Sequence, residues 1–91
     1  MSNLNESVDT LIQAARTLGL REIDVKYAEK LLLNREYGLA FDTVVTQLYE
    51  YDVEINREFF HFVEKIGQRM NLPEGDYSFL AKLIRDDTKA Y

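Results

Sequence analysis

Apolar residues recur at intervals of three and four along almost the whole chain, the period that places one stripe along an α-helix. Leu4, Val8, Leu11, Ile12, Ala15 and Leu18 form the stripe of a first helix. Gly19 follows as a residue free to take the left-handed conformation that closes a helix, and Leu20 can fold back on the stripe. Asp24 reads as the N-cap of a second helix bearing Tyr27, Ala28, Leu31 and Leu32. Asn34 and Arg35 break the chain before a third helix, which begins at about Glu36 and buries Ala40, Phe41, Val44, Val45 and Leu48. Tyr51, Asp52, Val53, Glu54 and Ile55 alternate like a strand, but with no partner run they read as an extended loop pinned to the core by Val53 and Ile55. Asn56 caps a fourth helix carrying Phe59, Phe62, Val63, Ile66 and Met70, and Leu72-Pro73 stops it. A last helix from about Asp76 shows Tyr77, Leu80, Ala81 and Ile84 on one side, with Arg85, Asp86, Asp87 and the tail fraying. The pattern predicts an all-α fold, a compact single-domain bundle of about five short helices over residues 1–91.

Composition narrows the function classes. A 46% hydrophobic content with a single proline is that of a folded chain, and 91 residues suffice for one core. Without cysteine there is no disulfide framework, thiolate nucleophile or cysteine metal site. Residues 1–10 lack the basic and apolar regions of a signal peptide, and no run approaches the roughly 18 apolar residues of a membrane span, so a cytoplasmic protein is expected. A pI near 4.8 argues against nucleic-acid and anionic-membrane partners, whose phosphates call for clustered Lys and Arg.

The net charge of −5 resides in one stretch. Residues 36–56 hold Glu36, Asp42, Glu50, Asp52 and Glu54 with no Lys or Arg, while acids and bases elsewhere balance at eleven each. Tyr37, Tyr49 and Tyr51 share the stretch. Asp42, Thr46 and Glu50 are four apart and line the helix face opposite Phe41, Val44, Val45 and Leu48. A one-signed face beside aromatic rings suits docking onto a basic protein. The same residues also fit an ordinary solvated face, although ordinary surfaces mix both signs.

Catalytic, metal and cofactor sites find little support. His61, the single histidine, falls on the side of the fourth helix shared with Glu58, Lys65 and Gln68, and reads as a surface residue. Ser7 and Ser78 read as terminus or helix-cap residues, and the four scattered glycines make no phosphate-cradling loop. Asp52 and Glu54 lack the further oxygen ligands and glycine turn of a calcium loop. No catalytic residue, metal or cofactor is expected.

The run from Leu31 through Leu33, Asn34, Arg35, Glu36, Tyr37, Gly38, Leu39, Ala40, Phe41 and Asp42, continuing as Gln47, Leu48, Tyr49, Glu50, Tyr51, Asp52 and Val53, resembles the MafI-like immunity proteins. The family pattern has a Leu-rich helix end, then Glu-aromatic-Gly-Leu-Ala, an acid, and an apolar turn leading to Leu-x-Glu. Glu36, Tyr37, Gly38, Leu39, Ala40, Asp42, Leu48 and Glu50 match it. The segment from Leu72 to Leu83 resembles the C-terminal part of the family, with Tyr77 where many members carry Trp. The likeness covers roughly residues 25–85. It departs at Val45 and Thr46, where members often place Cys followed by an acid.

The resemblance implies a small cytoplasmic protein that neutralises a toxin domain delivered between competing bacteria, in kind like the CdiI proteins of contact-dependent inhibition. Joined to the acidic face, it leads to the expectation of a non-enzymatic immunity protein that occludes a cognate toxin C-terminal domain, a basic nuclease. Asp42, Thr46, Glu50, Asp52, Glu54, Tyr49 and Tyr51 are the candidate toxin-binding residues. A helical regulator or adaptor unrelated to toxins is the alternative. Monomer and homodimer both remain open, and Phe59, Phe60 and Phe62 offer apolar surface for the second.

Overall fold

The structure, a computed structural model, describes residues 3–85. It is all-α: helices α1 (Leu4–Leu18), α2 (Glu22–Leu33), α3 (Tyr37–Glu50) and α4 (Arg57–Arg69) are followed by two 3-10 segments, Glu74–Asp76 and Ser78–Leu83. None of these helices is long and apolar enough to cross a membrane. The stripe of each helix meets in one core, with Leu11 and Ile12 of α1, Val25 of α2, Phe41, Val44, Val45 and Leu48 of α3, and Val63 and Ile66 of α4 all fully or almost fully buried. α3 is the central element, packed against α1, α2 and the last 3-10 segment.

Helix starts follow two patterns. Asn3 and Asn56 cap α1 and α4, their side-chain oxygens accepting from Glu6 N at 2.8 Å and Phe59 N at 2.7 Å. α2 starts earlier than the expected Asp24 cap. Arg21 stands at the N-cap with extended backbone, and its carbonyl accepts from the amides of Asp24 and Val25. Asp24 therefore lies inside the first turn, where its charge complements the helix dipole and its carboxylate accepts from Arg21 Nε at 2.9 Å.

All four helices stop in the same way. Gly19 at the end of α1, and the first residue beyond the C-cap of each of the other three, have a positive φ, and the next amide reaches back five residues: Leu20 to Ala15, Glu36 to Leu31, Val53 to Leu48 and Leu72 to Gly67. Gly19 does this without steric cost, but Arg35, Asp52 and Asn71 do it at φ of 59°, 54° and 57°. Asp and Asn tolerate that region better than Arg does. Arg35→Gly is thus expected to raise the stability of the domain by about 1 kcal/mol, read as a higher urea midpoint with an unchanged slope.

The last helical segment is 3-10 rather than α. Buried Tyr77, Leu80 and Leu83 are spaced by three, the 3-10 repeat, and Ala81 points to solvent instead of the core. The loop before α4 is pinned as its apolar residues imply. Ile55 is buried and makes a parallel bridge to Ile84, with Ile55 N donating to Leu83 O and Arg85 N to Ile55 O. The expected fraying of Asp86, Asp87 and the tail falls outside the described residues.

Several side chains depart from their expected places. Asn3, not Ser7, is the N-cap of α1; Ser7 is buried within the helix and accepts from Arg69 Nη1 at 2.8 Å, tying α4 to α1. Phe59 and Phe60 are buried in the core and only Phe62 is half-exposed, so the phenylalanine cluster offers little surface for a second copy. Tyr27, expected in the α2 stripe, is exposed, because Val25, Ala28 and Leu32 fill that face.

Candidate functional site

α3 presents its polar face because five apolar residues on the opposite side are drawn into the core. Asp42, Thr46 and Glu50 lie exposed along that face, and Thr46 Oγ1 sits 3.4 Å from Asp42 Oδ1. Asp42 and Glu50, eight residues apart, are about 12 Å from one another along the axis. Tyr49, Tyr51, Asp52 and Glu54 are also exposed, at and just beyond the end of α3. The left-handed turn at Asp52 brings Val53 back toward the core, so Asp52 and Glu54 project on either side of an anchored residue. The seven candidates therefore divide into a stripe along the helix and a cluster around its C-terminal end.

Both candidate tyrosines are held by other rings or charges. Tyr49 is edge-on to Phe79 of the last 3-10 segment, centroids 5.0 Å apart and planes at 74°. The Arg21 guanidinium lies over the Tyr51 ring, 3.9 Å from its centroid, a cation–π contact. Each ring keeps more than 40% of its surface exposed, so both are oriented without being withdrawn from a partner. Large amphipathic rings fixed in this way lose little conformational entropy on docking.

Arg21 is the residue that inspection of the acidic stretch alone overlooks. The window holds no base in sequence, yet the turn between α1 and α2 delivers one to it in space. That charge is already answered. The hydrogen bond that Arg21 donates to Asp24, and the charge of that carboxylate, push the Arg21 pKa above its ordinary value. Asp42, Glu50, Asp52 and Glu54 make no ion pair among the described residues. Four carboxylates therefore stand unneutralised by any described neighbour within ion-pair distance.

Ile23, Tyr27, Leu33 and Leu39 were also missed. All four are more than half exposed, Leu33 at 83%. Their signal was present: three consecutive leucines at 31–33 cannot all face one side of a helix, and Ile23 with Tyr27 lies off the stripe of Val25, Ala28 and Leu32.

Elsewhere the surface offers less chemistry. His61 is exposed on α4, its Nδ1 3.0 Å from Glu64 Oε1. Among the described residues no group of three or more His, Asp or Glu side chains is placed to hold a metal ion. An apolar groove of about 400 Å³ runs between α1 and α4, lined by Ala14, Leu18, Phe59 and Phe62 with Glu58 at its edge. It contains no pair of groups arranged for acid–base work. No protein-family model, curated protein or solved structure matches this chain.

Proposed function

We propose that this chain is an immunity protein that binds a cognate bacterial toxin domain, a basic nuclease, and neutralises it by stoichiometric occlusion. The observation that carries the reading is the set of unpaired carboxylates Asp42, Glu50, Asp52 and Glu54, exposed on one helix and the loop after it beside Tyr49 and Tyr51. The resemblance of residues 31–53 to MafI-like immunity proteins supplies the biological setting.

A nuclease cleft is positively charged because it holds phosphate. A one-signed acidic surface competes for that field, and its charges accelerate encounter before any close contact forms. Tyr49 and Tyr51 then act as anchors, filling pockets on the toxin and slowing release. Exclusion of substrate is all the mechanism asks of the chain, so no residue needs to perform catalysis. The protein acts in the cytoplasm, where a delivered nuclease meets its substrate.

Co-expression tests this directly. On this reading the gene immediately upstream is expected to encode a large secreted protein whose variable C-terminal region is the toxin domain. The protein is expected to restore growth to cells making that domain and to co-purify with it in fixed ratio. Failure of both rescue and co-purification would refute the immunity role and leave the helical adaptor.

A further inference from the structure

Every large apolar side chain found exposed among the described residues belongs to the α2–α3 hairpin or its cap: Ile23, Tyr27, Leu33, Leu39, Tyr49 and Tyr51. Single exposed apolar residues are ordinary, but their confinement to one supersecondary unit marks a surface that meets another molecule. The register of the hairpin defines what that molecule is. α2 and α3 are antiparallel neighbours with the most extensive helix–helix contact in the fold. Their short turn closes one end, and Arg21 over Tyr51 closes the other. Leu33 therefore stands level with Leu39, Lys30 with Asp42 and Lys26 with Thr46.

The two signs of charge are segregated between the helices. Lys26 and Lys30 are exposed on α2, Asp42 and Glu50 on α3, and none of the four makes an ion pair among the described residues. A uniformly basic partner covering the whole hairpin meets the two lysines, and a uniformly acidic one meets the two carboxylates. A second hairpin of the same kind, turned over about an axis parallel to the helices, meets both correctly. That rotation keeps every residue at its own level and lays α2 of one copy over α3 of the other. Lys30 then faces Asp42 of the second copy, Lys26 falls between Asp42 and Glu50, and Leu33 covers Leu39. Rotation about the perpendicular axis instead sets α2 on α2 and brings lysine to lysine.

We propose that the α2–α3 hairpin is a two-fold homodimerisation surface, with Leu33 packing on Leu39 and Lys30 pairing with Asp42 across the interface. An isologous contact forms each of these pairs twice, so modest pairwise terms count double. The dimer leaves Tyr51, Asp52 and Glu54, beyond the end of α3, outside the contact. The contact takes up Asp42 and Glu50, two of the carboxylates offered to the toxin, but its test uses the purified chain alone, so its failure and that of the immunity reading are distinguishable.

The test is the solution mass of the full chain by light scattering and sedimentation across concentration. A species of twice 10.7 kDa is expected for the wild type. Leu33→Lys, at a residue 83% exposed and hence tolerant in the monomer, is expected to give the single mass with an unchanged helical CD spectrum. Lys30→Glu and Asp42→Lys are each expected to weaken self-association by about tenfold or more, since each reversal places two like-charge pairs in the interface. Mixing those two variants is expected to restore a dimer containing one of each. A wild type that remains monomeric throughout the accessible concentrations overturns the proposal, as does a dimer indifferent to all three substitutions. A mixture that fails to reassociate overturns the arrangement of α2 over α3.

Discussion

Gly67→Ala is expected to destabilise the domain by up to about 2 kcal/mol, although alanine is the better helix former. Gly67 lies buried in α4, and a Cβ built there would sit 2.5 Å from Cε2, 2.8 Å from Cδ2 and 3.0 Å from Cζ of Tyr77. These are ring atoms of a side chain only 3% exposed, which also packs edge-on to Phe41 with centroids 6.2 Å apart. The ring cannot move aside without disturbing the central helix. Overpacking of this kind costs about 1–3 kcal/mol, against roughly 1 kcal/mol gained in helix propensity. Clash therefore outweighs propensity. The sign should reverse in a Tyr77→Ala background, because alanine carries none of the three clashing atoms, and the propensity gain is then unopposed. Urea denaturation of the four proteins of this cycle measures the coupling. The same loss from Gly67→Ala in both backgrounds would show that the Tyr77 ring is not what requires glycine.

That pair also shows where the sequence was readable. The apolar stripes of α1, α3 and α4 follow from their three-and-four spacing, because Leu11, Phe41 and Val63 are buried as their positions require. Asn56 was legible as a cap because its short side chain reaches the amide of Phe59. The breaks after α2 and α4 were legible at Asn34-Arg35 and Leu72-Pro73, but the left-handed turn itself was legible only at Gly19. Arg35, Asp52 and Asn71 perform the same left-handed turn without the residue that advertises it, and only the carbonyls they satisfy reveal them. The α-helical period expects Tyr77, Leu80, Ala81 and Ile84 on one side, whereas the 3-10 repeat buries Tyr77, Leu80 and Leu83; over so short a segment repeats of 3.0 and 3.6 are nearly indistinguishable.

The candidate site was legible in part for a similar reason. Exposure of Asp42, Thr46 and Glu50 follows from the burial of Phe41, Val44, Val45 and Leu48 on the same helix, a local relation. The approach of Arg21 to Tyr51 joins residues 30 apart through the packing of whole helices, and no local pattern encodes it. Tyr27 falls among the residues expected in the α2 stripe, and Leu33 belongs to no stripe. The surface they occupy is apparent only once Val25, Ala28 and Leu32 have filled the interior.

On the immunity reading, Glu50→Lys combined with Glu54→Lys is expected to lower the rate of association with the toxin domain by about tenfold or more at low salt, and to flatten its salt dependence. The two residues lie at the end of α3 and in the loop beyond it, beside Asp52, where three carboxylates act on an approaching partner together. Reversing two of these three carboxylates takes the net charge of the cluster from −3 to +1, so the sign of the local field changes. Asp42 is a single charge about 12 Å from Glu50 along α3, so Asp42→Lys alone reverses one charge and should alter encounter less. Loss of folding does not account for the expected effect. α3 has no basic residue in its last turn, and a lysine at position 50 complements the negative end of the helix dipole. Tyr51→Ala separates the second stage of binding from the first: its ring is an anchor, so dissociation should accelerate while the salt dependence of association persists. Stopped-flow association at several salt concentrations distinguishes these cases. An unchanged association rate for the double lysine variant would remove the end of α3 from the encounter surface.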